Sequence, residues 1–276
     1  MRFSISAPWF AAVLACAFSV WLFAPGFMSW DSAFQWYQAR SGEFNALHPP
    51  MMTLLWSLIE PWWSGPTSML LLQQAMIWVG LAGIAVSLRL QWSRAVLLML
   101  VVGFWPPLFL MSAHSWKDIP MMGAFLMAVW LLRLELERPG WHLLLPALLL
   151  VVLACASRHN AITGALPFVV WIVWRGLDGR SWFDARPVLS RAGLTLCLSV
   201  LLAVLVQWAA QLPEHAPGVK RPQAVWSVVA LWDMAAVSLA EDRLVFPEAF
   251  LVEGAQVEDL RPHFSDWSNT TVFGSR

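Results

Sequence analysis

Three short stretches carry residues whose types and spacing could do chemistry. The first, residues 25–50 (PGFMSWDSAFQWYQARSGEFNALHPP), holds Asp31 and His48; the second, AHSWKDIP, holds Lys117 and Asp118; the third, SRHN, holds Arg158, His159 and Asn160. A carboxylate beside an apolar interface is partly desolvated, which raises its basicity and suits Asp31 to deprotonate a hydroxyl or amine during group transfer. Ser29 or Asp31 could instead cap a helix in this loop. His48 stands before Pro49-Pro50, which biases it to extended backbone. It could bind a phosphate, ligate a metal or donate a proton, and a lone loop histidine often does none of these. Lys117 is one of two lysines in the chain, a compact, strongly hydrated charge that suits phosphate. A helix starting just after it would add N–H groups and a favourable dipole for an anion. Asp118 would then cap that helix, orient Lys117 or help hold a divalent metal; the plainer alternative is an interfacial Lys–Asp pair. Arg158 matches phosphate oxygens bidentately, or anchors to lipid headgroups, while His159 and Asn160 can hydrogen-bond sugar hydroxyls.

The elements that must position these groups are set by composition. Hydrophobic residues make up 59% of the 276 and charged residues 12%, with 20 Trp and a mean hydropathy of +0.62. Soluble domains run at roughly 45–50% apolar and about 25% charged, so the sequence reads as a polytopic membrane protein. Its formal net charge is zero, and with no nucleic-acid-reading motif it offers nothing for a nucleic-acid partner. Cys16, Cys155 and Cys197 lie singly in apolar runs, which suggests neither a disulfide framework nor a zinc site.

A helix needs about 20 mostly apolar residues to cross the hydrocarbon core. That rule picks out seven windows: 8–24, 68–88, 95–113, 119–132, 141–157, 161–174 and 192–211. The fold class expected is therefore all-α, a transmembrane bundle of about seven spans, with the first span uncleaved. Residues 50–63 are apolar but short, which favours an interfacial or re-entrant helix. Charge supports that choice. If 50–63 does not cross and the N-terminus is cytoplasmic, then Arg2, Arg89, Arg94, Arg133, Arg138, Arg175, Arg180, Arg186 and Arg191 fall inside, in line with the positive-inside bias. The loop 25–67, the turns at 114–118 and 157–160, and everything after 212 then share the extracytoplasmic face, where all three chemical stretches converge.

Within the first loop, Trp30, Phe34 and Tyr37 recur at i, i+4 and i+7, with Asp31, Gln35 and Gln38 one residue on. This predicts a short helix lying along the membrane surface with Asp31 on its polar face. Pro49-Pro50 opens the next helix. Two regions follow: a transmembrane catalytic region, 1–212, and a more polar extracytoplasmic tail, 213–276, with a helix through 224–240, a sequon at Asn269 and an end at SNTTVFGSR that reads as a fragment or a truncated member of a longer family.

WDSAFQW, then HPPM at the start of the next helix, SWKD between the third and fourth spans and SRHNA between the fifth and sixth resemble bacterial membrane glycosyltransferases of the GT-C type. The likeness covers residues 25–161 and rests on short motifs in the same topological order. It implies juxtamembrane helices in the first extracytoplasmic loop and a catalytic aspartate there, which falls on Asp31, with Asp118 at the second acidic position. It also implies a polyprenyl-phosphate-linked sugar as donor and a glycan, lipid or protein acceptor. From charge, Lys117 and Arg158 face the donor phosphate. Some relatives use a divalent metal, Mg or Mn, and others none, so a cofactor stays open. Members usually have more than seven spans and often a C-terminal soluble domain, a departure here. The leading reading is an integral glycosyltransferase of the bacterial inner membrane. The alternatives are a transporter or flippase for a lipid-linked or polar solute, and a non-catalytic membrane subunit.

Overall fold

The computed structural model describes residues 6–220, 225–248 and 251–265. It divides into two compact units, Met1–Lys220 and Arg221–Arg276. Among the described residues the secondary structure is helical, and the only strand-like pairings are two isolated bridges. The first unit contains α1 (Ser6–Phe23), α2 (Trp30–Ser41), α3 (Met51–Ile59), α4 (Pro66–Ser87), α5 (Trp92–Gly103), α6 (Pro106–Met111), α7 (Asp118–Glu137), α8 (Trp141–Ser157), α9 (Ala161–Leu177), α10 (Ser181–Asp184) and α11 (Val188–Gln211). The second holds α12 (Val225–Glu241) and a 3₁₀ segment, Val257–His263, with the Trp232 and Phe264 rings stacked at 6.2 Å. The sequon at Asn269 and the first residue of the tail helix window, Ala224, lie outside the described residues.

Among the described residues, three helices are long and apolar enough to cross a membrane: α4, α7 and the segment Val188–His215, which extends α11. Four shorter apolar helices fall in the remaining windows, at Ala7–Phe23, Trp92–Gly103, Trp141–Ser157 and Ala161–Leu177. The window 95–113 does not form one helix. Trp105 adopts φ −55° and ψ 120°, and Pro106 and Pro107 open α6, because a residue before proline is pushed out of the helical region. Residues 50–63 yield only the nine-residue α3, about 14 Å long at 1.5 Å per residue, too short to cross.

Packing is organised on α4, the most buried of the long helices, which packs against α7, α1 and α5. Small residues let α4 and α7 approach closely. A Cβ at Gly80 would sit 2.7 Å from the Leu126 Cβ, one at Gly83 2.3 Å from the Trp130 ring, and one at Gly123 2.7 Å from the Met76 Cβ. Gly80→Leu should therefore push the pair apart at a cost of about 1–3 kcal/mol. Thermal unfolding in detergent, with Gly193→Leu as the control at a position with nothing within 4 Å, checks this; equal melting temperatures would refute it. Alanine-rich faces of α8, α9 and α11 form a second core around Val151, Ala165 and Val206.

α2 forms where the aromatic spacing places it. Ser29 caps it by accepting from the Ser32 N–H at 3.3 Å, and Gly42, at φ 72°, closes it. Asp31, Gln35 and Gln38 share a face, as the spacing requires, but the orientation reverses that of a helix in water: Ser32, Gln35 and Gln38 are buried, whereas Trp30 is 81% exposed and Tyr37 is also open. The polar face turns inward because it finds partners there, Ser32 Oγ donating to the Ser115 carbonyl at 2.7 Å. Exposed Trp and Tyr rings suit headgroup level. α2 is clasped to α3 through Glu60, whose carboxylate accepts from Trp36 Nε1 at 3.0 Å and Ser64 Oγ at 2.5 Å and faces Arg40 at 3.6 Å.

Candidate active site

The segment that carries Lys117 is held on both sides. Gln74 Nε2 donates to the Ser112 carbonyl and hydroxyl, each at 3.0 Å, and Gln73 Nε2 donates to the Trp116 carbonyl at 3.2 Å. On the other side, the Phe27 N–H donates to the Ala113 carbonyl and the Ser115 N–H to the Phe27 carbonyl, both at 2.9 Å. Ser32 supplies the bond to Ser115 already described. Two adjacent glutamines in an apolar helix must find partners internally, since hydrocarbon offers none; here those partners are the backbone that sets the position of Lys117.

From that segment Lys117 reaches the first loop. Its Nζ lies 3.1 Å from His48 Nδ1 and 3.9 Å from an Asp31 oxygen, while His48 Nε2 lies 3.4 Å from the other Asp31 oxygen. An ammonium only donates, so Nδ1 accepts and Nε2 carries the proton that points to Asp31. Asp31 is thus oriented from both sides. Its side chain is 52% exposed, more open to water than the desolvated carboxylate expected from the sequence.

Asp118 begins α7 without making a side-chain cap; it pairs instead with Arg158 across from α8, and Arg158 Nε donates to the Asn160 Oδ1 at 3.1 Å. Together, Ser29, Trp30, Asp31, Ser32, Gln35, Trp116, Lys117, Asp118 and Arg158 line one cleft of about 370 Å³. Asp31, His48, Lys117, Asp118 and Arg158, drawn from three distant segments, therefore meet in one place. Asn160 acts there through Arg158, whereas His159 turns away to Glu214, with Nδ1 3.5 Å from its carboxylate. Residues 212–220 run on from this contact to the first loop, where the Lys220 N–H donates to the Phe44 carbonyl at 2.9 Å and the Ala46 N–H to the Lys220 carbonyl at 2.8 Å.

The cleft carries balanced charge, the carboxylates of Asp31 and Asp118 facing Lys117 and Arg158. Among the described residues no three His, Cys, Asp or Glu side chains gather as a metal-binding group, and both carboxylates of the cleft already face cations. This arrangement does not fit a ready-made metal centre.

Burial, and then the Lys117 charge, push His48 below its usual 6.5, against the opposing pull of Asp31. Burial is also the main cause that lowers Lys117 from 10.5. The fold disfavours the charged imidazole of His48, which protonates more readily when the chain is unfolded. The unfolded state therefore binds more protons in the window below 6.5 down to the depressed value, and stability rises with pH across it. Acidification through that window should lower the melting temperature of the wild type and give a weaker effect in His48→Gln; an identical pH slope in both would refute the assignment.

Ser29 and Gln35, expected from the sequence as a helix cap and part of its polar face, also line the cleft, whereas the sequence assigns no site role to Ser32 and Trp116 on its wall or to Gln73, Gln74, Glu60 and Glu214 behind it. The paired glutamines inside an apolar window were the one available signal. Comparison of the chain with protein-family models, with curated proteins and with solved structures found no match.

Proposed function

We propose that the protein is an integral-membrane glycosyltransferase that moves a sugar from a polyprenyl-phosphate-linked donor to a glycan, lipid or protein acceptor. The observation that carries this reading is the convergence in one cleft of Asp31, held between His48 and Lys117, with the Arg158–Asp118 pair. In this reading the seven apolar segments span a bacterial cytoplasmic membrane, with the N-terminus inside and the cleft on the outer face. Asp31 takes the proton of the acceptor hydroxyl as its oxygen bonds to the anomeric carbon. The bond from that carbon to the phosphate oxygen breaks, and its electron pair stays on the lipid phosphate, where Lys117 and Arg158 offset the developing charge. Trp30 and Trp116 give the sugar ring apolar faces.

Charge placement favours a site at one end of the bundle over a passage through it. α4 and α8 carry no charged residue, and those of α7 and α9 lie toward their ends. Transporters tend instead to place polar groups near the midplane. The test is sugar transfer or release in proteoliposomes supplied with a pool of radiolabelled polyprenyl-phosphate sugars. Activity with at least one donor supports the proposal, and no turnover of any donor by the folded protein overturns it.

A further inference from the structure

At the end of the bundle opposite the cleft, α1, α4, α5 and α7 leave a recess of about 410 Å³, within the roughly 300–1,000 Å³ of small-molecule sites. Its walls are apolar, formed by Pro8, Val86, Trp92, Trp130 and Leu134, and its rim is charged, formed by Arg89, Glu137 and Arg138. Arg89 Nε donates to Glu137 at 2.7 Å, yet the side chain stays 71% exposed. Arg89 also holds a left-handed backbone, φ 53°, a conformation uncommon for a residue with a long side chain. Two arginines, Arg89 and Arg138, share the rim with the one carboxylate, Glu137. The rim therefore carries a surplus of positive charge that its single carboxylate does not balance.

We propose that this recess binds one anionic phospholipid, with an acyl chain among the two tryptophans and the phosphate on Arg89 and Arg138. The apolar walls suit an acyl chain, and the surplus charge favours a net negative headgroup over a zwitterionic one. Guanidinium groups suit phosphate because they present paired donors in a fixed plane. Basic pockets between spanning helices recognise anionic headgroups by the same physics. The proposal needs the helices to lie in a membrane with these loops at its surface; it does not depend on the transferase reading.

The test compares lipid retention by native mass spectrometry after purification of the whole chain from nanodiscs of phosphatidylcholine with and without phosphatidylglycerol. Wild type should retain phosphatidylglycerol in preference to phosphatidylcholine and melt at a higher temperature with it. The double substitution R89Q/R138Q should lower that retention by about tenfold or more. Arg138→Gln alone, which leaves the Arg89–Glu137 pair intact, carries the same comparison if the double variant does not fold. Glu137→Gln, which removes the competing carboxylate, should retain the lipid at least as well as wild type, whereas a purely structural role for the ion pair would make it behave like the arginine variants. Equal retention of the two lipids, undiminished retention in the arginine variants, or the same stabilisation by inorganic phosphate alone would overturn the proposal.

Discussion

Asp31→Asn should slow sugar transfer by about a thousandfold, inside the roughly 10²–10⁴-fold range that a positioned general base supplies. The substitution keeps the size and shape of the side chain, and the His48 Nε2 that faces the carboxylate at 3.4 Å can still donate to the amide oxygen. The effect should therefore fall on the rate more than on folding, because the carboxylate is half exposed, while the mostly buried Lys117 keeps its bond to His48 as it loses the facing Asp31 charge. Donor binding should change little, since Asp31 faces the acceptor proton and not the phosphate. The measurement is single-turnover transfer in proteoliposomes beside thermal unfolding of the same preparation. A variant that melts like wild type and transfers at an undiminished rate would move the base elsewhere, with Asp118 the next group to test.

Arg158→Gln should cost about 10²–10³ in kcat/KM, the usual consequence of removing one donor that stabilises developing negative charge. Two roles are open to Arg158. It either touches the donor phosphate, or only neutralises Asp118, with which it is paired. A double-mutant cycle with Asp118→Asn separates them. If Arg158 serves only Asp118, neutralising both should restore much of the rate, because the uncompensated carboxylate has gone. If Arg158 meets the phosphate, the double variant stays as slow as Arg158→Gln. Coupling between groups in contact is typically about 0.5–3 kcal/mol, large enough to resolve. Restoration to wild-type rate would remove Arg158 from the donor site.

The two outcomes together also bear on the first loop. The clasp of Glu60 on Trp36 and the bonds from Gln73, Gln74 and Phe27 place Asp31 and Lys117 from opposite sides of the cleft. Neither α2 nor the segment 112–117 makes this geometry alone. A weakened rate in either substitution reads the final contact in a chain of positioning groups, of which Gln73 and Gln74 are fully buried.

Hydropathy and spacing were enough to locate the apolar helices, the short helix from Trp30 and the polar segments between them, because these depend on local composition and a local period. The α2 aromatic stripe and the Pro49-Pro50 start of α3 are of that kind. The break between α5 and α6 was also written locally, in Trp105-Pro106-Pro107, and was overridden in the sequence reading by the apolar run around it. What the chain could not disclose locally is which groups meet. Asp118 finds Arg158 and not Lys117, His159 leaves the cleft for Glu214, and α2 turns its amides inward and the Trp30 and Tyr37 rings outward. Each of these outcomes joins residues about 40 or more positions apart, or depends on which neighbour offers a buried helix face its hydrogen bonds. Composition and period specify the faces of a helix; only the packed neighbours determine which face is covered and which charges become partners.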